Sequence, residues 1–288
     1  MGGRAVHGEY GVRTIPSRFS AGRAESGGNG PDSVLLTYPC VPMGFEHKDR
    51  RTVEGRPGRW HTGIFTKRPL PGAVKTRLVP PLDPEGAARL QEAMLRDVVE
   101  RFVAAPLAPV LWYAPAEDRA WFEEAFPSVR LEPQCGPDLA RRMAYTFEDV
   151  LFDADSAVLV GSDQPLIPAE RIVEAHRALE EGAEVVLGPD LGGGYYLIGM
   201  RGSHPELFLG IEMSTESMCT ATIERAREFG LALHLLPEEL DVDTGADLER
   251  LRDTLFGDGL DPASPDYPAR TAGVLAELFR DVPLPPTQ

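Results

Sequence analysis

The chain predicts an α/β domain with a largely parallel sheet flanked by helices, and three observations carry that expectation. From Trp60 onward, short apolar runs alternate with stretches of helical spacing, so the strands need crossover connections. Four of those runs end in a charged or glycine-rich segment: GIFT leads into KRPLPGAVKTR, AVLVG into SDQP, EVVLG into PDLGGGYY, and LALHLL into PEELDVDT. The third observation is size. A chain of 288 residues, 42 % hydrophobic and 26 % charged, can bury a sizeable core of ordinary globular composition.

The elements follow in order. A strand at 63–66 runs into a basic loop, and a helix opens at Asp83-Pro84-Glu85, with Asp83 as N-cap and Pro84 at the first helical position. Ala87, Leu90, Ala93, Met94 and Val98 give that helix its apolar stripe. Strand 109–113, helix 118–126 and a short strand 129–131 come next, then helix 137–151 and strand 157–160. Helix 168–179 precedes strands 185–187 and 195–200. Helix 215–229, strand 231–236 and helices 245–255 and 269–279 complete the pattern. Residues 1–57 show no sustained periodicity and carry a Gly/Ser/Arg-rich stretch, so they are expected to be a disordered extension. The expected domain is 58–282, with a loose Pro-rich tail at 283–288.

Charge and composition narrow the functional classes. A net charge of −16 argues against a nucleic-acid binder, which would show a basic stripe. The charge is uneven: residues 1–60 carry 9 Lys/Arg against 6 Asp/Glu, a net +3, so −19 falls on residues 61–288. No stretch approaches 18 consecutive apolar residues, so no membrane span is expected. The apolar stretch 34–45 is broken by Pro39 and Pro42 and lies too far in for a signal peptide. Cys40, Cys135 and Cys219 lack paired spacing, which disfavours a disulfide framework or zinc site and makes a reducing cytoplasm the expected location.

In an open α/β sheet, ligands bind beyond the carboxyl ends of the strands, so the four segments point at one crevice. The basic loop is not a phosphate loop of the Walker type, because Pro69 and Val74 stand where that motif needs glycine. It remains a stiff cationic loop, with Lys67, Arg68, Lys75 and Arg77 set around Pro69, Pro71 and Gly72, suited either to a diphosphate or to a solvated turn. Asp163 ends an apolar strand and fits either a divalent-metal ligand or a turn aspartate. Thr244 and Asp247 have capping-box spacing, which explains Asp247 and leaves Asp243 as the better ligand candidate; Asp241 reads as an exposed loop acid. Gly192-Gly193-Gly194 suits close ligand approach or a bare turn between strands. Tyr195 and Tyr196 alternate faces, one for the core and the other available for stacking. Ser214-Thr215 is expected to cap the next helix, and His61, His204 and His234 have no ligand spacing.

These blocks carry a family likeness. FTKRPLPGAVKTRLVPPLDPEGAARL, VLVGSDQPLIP, VVLGPDLGGGYYLIGM and LDVDTGADLERL resemble, in order, those of a bacterial glycosyltransferase family. It is a nucleotide-diphospho-sugar transferase-like group with a GT-A-type, Rossmann-like fold, some members of which are assigned to arsenosugar biosynthesis. The likeness spans roughly residues 63 to 255. It implies a single GT-A-like domain in which Thr66, Lys67, Pro71, Gly72, Lys75, Thr76 and Arg77 contact the nucleotide and its phosphates, joined by Gly193, Gly194 and Tyr195. It also implies a divalent ion, Mg²⁺ or Mn²⁺, on Asp163 and Asp243. Asp163, Lys75 and Arg77 are the candidate catalytic groups. The expected partners are a nucleoside diphosphate sugar and a small acceptor. The wider superfamily leaves nucleotidyl transfer from a nucleoside triphosphate open. Two departures stand out: Gly192 occupies the position of a family aspartate and Met213 that of a tryptophan. The first also leaves open a nucleotide-binding module without turnover.

Overall fold

The computed structural model describes residues 59–257 and 260–280, all within one compact unit. The expected extension 1–57 and tail 283–288 lie outside the described residues. Seven strands form one sheet: β1 (Trp60–Lys67), β2 (Val110–Ala114), β3 (Arg130–Pro133), β4 (Ser156–Val160), β5 (Val185–Pro189), β6 (Tyr195–Met200) and β7 (Leu233–Leu235). Their order is β3-β2-β1-β4-β6-β5-β7. All neighbours are parallel except β6, which runs antiparallel to both β4 and β5.

Period-two alternation decides what each strand buries. In β4, Val158 and Val160 face the layer built with α1 (Pro84–Ala104), α2 (Arg119–Ala125) and α4 (Ala169–Glu180), whereas Ala157 and Leu159 face that of α3 (Leu139–Val150) and α5 (Met218–Glu228). Strands buried on both faces read as continuous apolar runs, as SAVLV does. Helix α1 is shared between two cores: Val98 and Phe102 pack toward the sheet, while Leu90 and Met94 pack against α6 (Gly245–Phe256) and α7 (Ala269–Leu278). Its expected cap is present, the Asp83 carboxylate accepting the Gly86 N–H at 2.6 Å. Asp97 on the same helix accepts the Thr271 N–H at 2.8 Å, tying α7 to α1.

Two boundaries differ from the expectation for physical reasons. Strand β1 begins at Trp60 rather than 63, because its polar start pairs with β4 (Trp60 with Ser156, Thr62 with Val158) and the buried Thr62 finds a partner in His176. Helix α5 begins at Met218 rather than 215, and Ser214-Thr215 does not cap it. Ser214 is left-handed (φ 63) and Thr215 Oγ1 donates instead to the Glu212 carbonyl at 3.0 Å.

Candidate functional site

Because β1, β4, β5 and β7 run the same way and β6 starts beside the end of β5, all four singled-out segments emerge at one edge of the sheet. The stretch after β7 is pinned there: Asp190 bridges Glu239, and the Val242 N–H reaches the Asp163 carbonyl at 3.3 Å.

Lys75 stands at the centre. Its ammonium donates to Asp163 Oδ2 at 2.7 Å and to Asp243 Oδ1 at 3.0 Å, and its side chain is 3 % exposed. Its backbone is left-handed (φ 48, ψ 39), a conformation that costs a non-glycine residue about 1–2 kcal/mol and is held here by the two ion pairs. Arg77 lies outside it, largely exposed, with a guanidinium nitrogen 3.2 Å from Asp243 Oδ2. Burial opposes the charge on Lys75, but the surrounding Asp163, Asp241 and Asp243 outweigh it and hold the ammonium above its usual range.

Asp163 is oriented from behind. Gln91, buried on α1, donates through Nε2 to Ser162 Oγ at 3.0 Å and to Asp163 Oδ1 at 3.1 Å, and Ser162 Oγ also donates to Oδ1 at 3.0 Å. Oδ1 is thereby committed and Oδ2 faces Lys75. Burial pushes the Asp163 carboxyl up, but the Lys75 charge and these hydrogen bonds win and leave it below the usual carboxylate range.

The structure corrects the reading of Asp241 as an exposed acid. It is half-buried, its Oδ1 is buried without a hydrogen-bond partner, and it joins Asp163 and Asp243 in a triangle whose ligand oxygens lie within 4.8 Å of one another. Burial first, then the neighbouring Asp163 charge, raises its carboxyl far above the ordinary value. Alternation could have revealed it, since in the extended stretch 241–243 the fully buried Val242 points inward and leaves Asp241 and Asp243 on the same side. Gln91 was also missed; its signal was a polar residue on the buried face of α1, which must find a partner. Asp247 serves as expected, accepting the Thr244 N–H at 2.8 Å in a capping box on α6.

The other candidates lie around this cluster rather than in it. Thr66 is buried at the end of β1, its hydroxyl donating to the Lys67 carbonyl at 3.3 Å. Lys67, Pro71, Gly72 and Thr76 are exposed along the loop. Arg68 is drawn away to Asp118 at 3.3 Å and sits over the Trp121 ring. The glycine loop is shaped by the chain itself. Gly193 is left-handed (φ 85), and a Cβ there would collide with the Glu216 carbonyl; Gly194 passes under the Asp190 carboxylate. Asp190 Oδ1 accepts the N–H groups of Gly192 at 2.7 Å and Gly194 at 2.9 Å, and burial leads in raising its carboxyl. Tyr195 and Tyr196 do alternate, but helices cover both faces of the sheet and both rings are packed. The Tyr195 hydroxyl is buried, and the Tyr196 hydroxyl donates to the Pro237 carbonyl at 3.2 Å.

The donor set fits a hard divalent cation. Three carboxylates supply oxygen ligands, Asp241 keeps a buried oxygen unpartnered, and an ammonium already stands among them as a cation.

The fold is that of α/β chains like the nucleotide-diphospho-sugar transferases, as comparison with known proteins shows. A family described as uncharacterized protein conserved in bacteria (DUF2064) matches residues 98–215, a stretch containing Asp163 and the glycine loop. A protein of Desulfovibrio desulfuricans G20, provisionally described as a nucleotide-diphospho-sugar transferase, is 30 % identical with a TM-score of 0.70, over 78 % of this chain and 98 % of that one. The chain belongs to this family. A cytidylyltransferase from Leptospira borgpetersenii serovar Hardjo-bovis is 14 % identical (TM-score 0.46; 78 % of this chain, 95 % of that one). A CMP:2-keto-3-deoxy-manno-octonic acid synthetase complexed with CTP is likewise 14 % identical (TM-score 0.42; 68 % and 98 %). Similarity at that level carries no argument about activity. No curated protein matches the chain.

Proposed function

We propose that the chain is a glycosyltransferase that moves a sugar from a nucleoside diphosphate to a small acceptor, with Mg²⁺ or Mn²⁺ on the diphosphate. The observation that carries this reading is the meeting of Lys75 and Arg77 with Asp163, Asp241 and Asp243 at the strand-end crevice. The description given to the Desulfovibrio relative agrees with it.

In the reaction, the bond between the anomeric carbon and the diphosphate oxygen breaks and the oxygen keeps the electron pair. The acceptor bonds to the carbon, and the proton it gives up passes to solvent. Negative charge therefore grows on the diphosphate, and fixed cations aimed there act most strongly in the transition state. Lys75 and Arg77 supply those cations. Asp163, Asp241 and Asp243 would hold the divalent ion, which supplies Lewis-acid stabilisation of the departing oxygen. Gln91 and Ser162 fix Asp163 so that Oδ2 is the presented oxygen. Asp190 is occupied by the glycine-loop N–H groups and acts as a turn residue. Lys67, Thr76, Pro71 and Gly72 line the exposed loop over which the nucleotide lies, with Thr66 shaping its base and Gly193 and Gly194 the opposite wall, backed by the packed Tyr195 ring. The domain responsible is 58–282. A reducing, cytoplasmic setting suits a chain in which neither Cys135 nor Cys219 is in a disulfide.

The test is calorimetric titration with nucleoside diphosphate sugars, diphosphates and triphosphates, with and without Mn²⁺, on wild type and Asp163→Ala. Metal-dependent binding of a diphosphate sugar, weakened at least a thousandfold in Asp163→Ala (about 4 kcal/mol), is expected. A preference for triphosphates with pyrophosphate release would replace this reading by nucleotidyl transfer. Binding without turnover would make the chain a nucleotide-binding module. Absence of nucleotide binding under every metal condition would sink the proposal.

A further inference from the structure

We infer that Lys75 is the resident counter-ion of the carboxylate triangle, occupying it until a diphosphate draws the ammonium away, so that metal and nucleotide enter as a unit. This rests on the transferase reading above and adds to it an order of binding.

The geometry is restrictive. Lys75 Nζ lies 2.7 Å from Asp163 Oδ2 and 3.0 Å from Asp243 Oδ1, the same two residues whose oxygens close the triangle with Asp241. A divalent ion bonded to Asp163 Oδ2 at about 2.1 Å would lie within about 4.8 Å of the ammonium wherever around that oxygen it sat. Two cations that close repel, and solvent screens them only in part because the Lys75 ammonium itself is shielded from water. The ion therefore binds well only when Lys75 has left.

Leaving is costly on its own. The Lys75 side chain is 3 % exposed, and moving its charge into a site without an anion takes the ion partner from Asp163 and leaves Asp243 with Arg77. A diphosphate supplies the replacement anion at the moment the carboxylates receive the metal. The tether permits the movement. Lys75 is the last residue before the short helical turn Thr76–Leu78, whose Leu78 is anchored fully buried in the core with α1 and α6. On the other side of Lys75 the loop is exposed through 70–73, and at Gly72 (φ 76) no atom lies within 4 Å of where a Cβ would be. The ammonium can change partners without repacking a core.

Arg77 provides the control. It also pairs with Asp243, yet it is 67 % exposed and stands on the outside of the triangle. Removing its charge lowers the positive potential near the site without vacating it.

The experiment is equilibrium dialysis against Mn²⁺ alone, with no nucleotide, on the full chain as wild type, Lys75→Met, Lys75→Gln and Arg77→Met. Lys75→Gln guards against a Met variant that fails to fold, and circular dichroism confirms the fold of each. At least one Lys75 variant is expected to retain Mn²⁺ tenfold or more tightly than wild type, with Arg77→Met changing it less than threefold. Equal retention by wild type and both Lys75 variants, including none by any of them, overturns the inference. So does an Arg77→Met gain as large as that of Lys75. Because this arm contains no nucleotide, its outcome is independent of the nucleotide titration: a chain that binds no nucleotide can still show the Lys75 effect, and one that binds nucleotide can lack it.

Discussion

Strands β1 and β4 bury polar groups at both ends, and the two ends are built on opposite principles. At the start of the strands, His176 is fully buried and both ring nitrogens have partners, Ser156 Oγ at 2.8 Å and Thr62 Oγ1 at 3.2 Å. Trp60 stacks on the ring at 4.6 Å and passes its indole N–H to Glu180 at 2.7 Å, while His61 accepts from Trp112 at 3.2 Å. At the far end, three carboxylates crowd one lysine and a buried Asp241 oxygen has no hydrogen-bond partner. A satisfied buried network locks a fold, whereas an incompletely satisfied one is costly and persists where something else completes it. The first end is a fastening. The second is the end proposed above to receive a ligand.

The contrast can be broken by mutation. Beside the thousandfold loss of nucleotide affinity expected for Asp163→Ala, His176→Ala is expected to cost about 3 kcal/mol of stability, from a cavity and two hydroxyls left without their partner. Nucleotide affinity per folded molecule should stay within twofold. Denaturant unfolding and calorimetry on the same sample check both, and a His176→Ala chain of normal stability would mean that the network fastens nothing.

Acid should loosen the fastening. Burial, then the neighbouring His61, lowers His176 to about 3, and burial, then Arg130, lowers His61 to about 4. In both cases the unfolded chain takes up protons below about 6.5 that the folded chain refuses. The stabilisation is therefore fully present above pH 6.5 and is lost as pH falls from there through the folded values. His176 alone should account for a loss of about 2 kcal/mol between pH 7 and pH 5. Urea unfolding at the two pH values tests this, since His176→Gln should remove that part of the dependence.

The smallest effect sharpens the description of the other end. Gln91→Leu takes away the donor shared by Ser162 and Asp163 Oδ1 while keeping the side chain apolar and similar in size. Mn²⁺ affinity measured with nucleotide present is expected to fall about tenfold, as for other groups that orient a metal ligand. The melting temperature should change little. If Gln91→Leu shifted stability alone, Gln91 would belong with the fastening.

Much of the fold was legible because its signals are local. The cap at Asp83, the capping box of Thr244 and Asp247, and the short apolar run 157–160 each depend on neighbours in sequence, and each appears as expected. Lys75, Arg77, Asp163 and Asp243 were legible as candidates mainly through the family likeness, because a charged loop beyond a strand suits a solvated turn as well as a ligand. The start of α5 was not, because its first turn is engaged across the fold, where the Cys219 N–H donates to the Gly193 carbonyl at 3.0 Å.

By itself, then, the sequence determined which segments become strands and helices, that the chemistry-bearing loops share one edge, and which charges arrive there. Only the tertiary structure decided how those charges divide. Asp241 became a ligand candidate and Asp190 a turn residue, though both are loop aspartates following strands. Lys75 became the ion already in place rather than one of four loop cations. The physical reason is that the energy of a charge depends on its burial and on groups within a few ångströms, and those groups come here from residues 88 and 168 positions away in the chain.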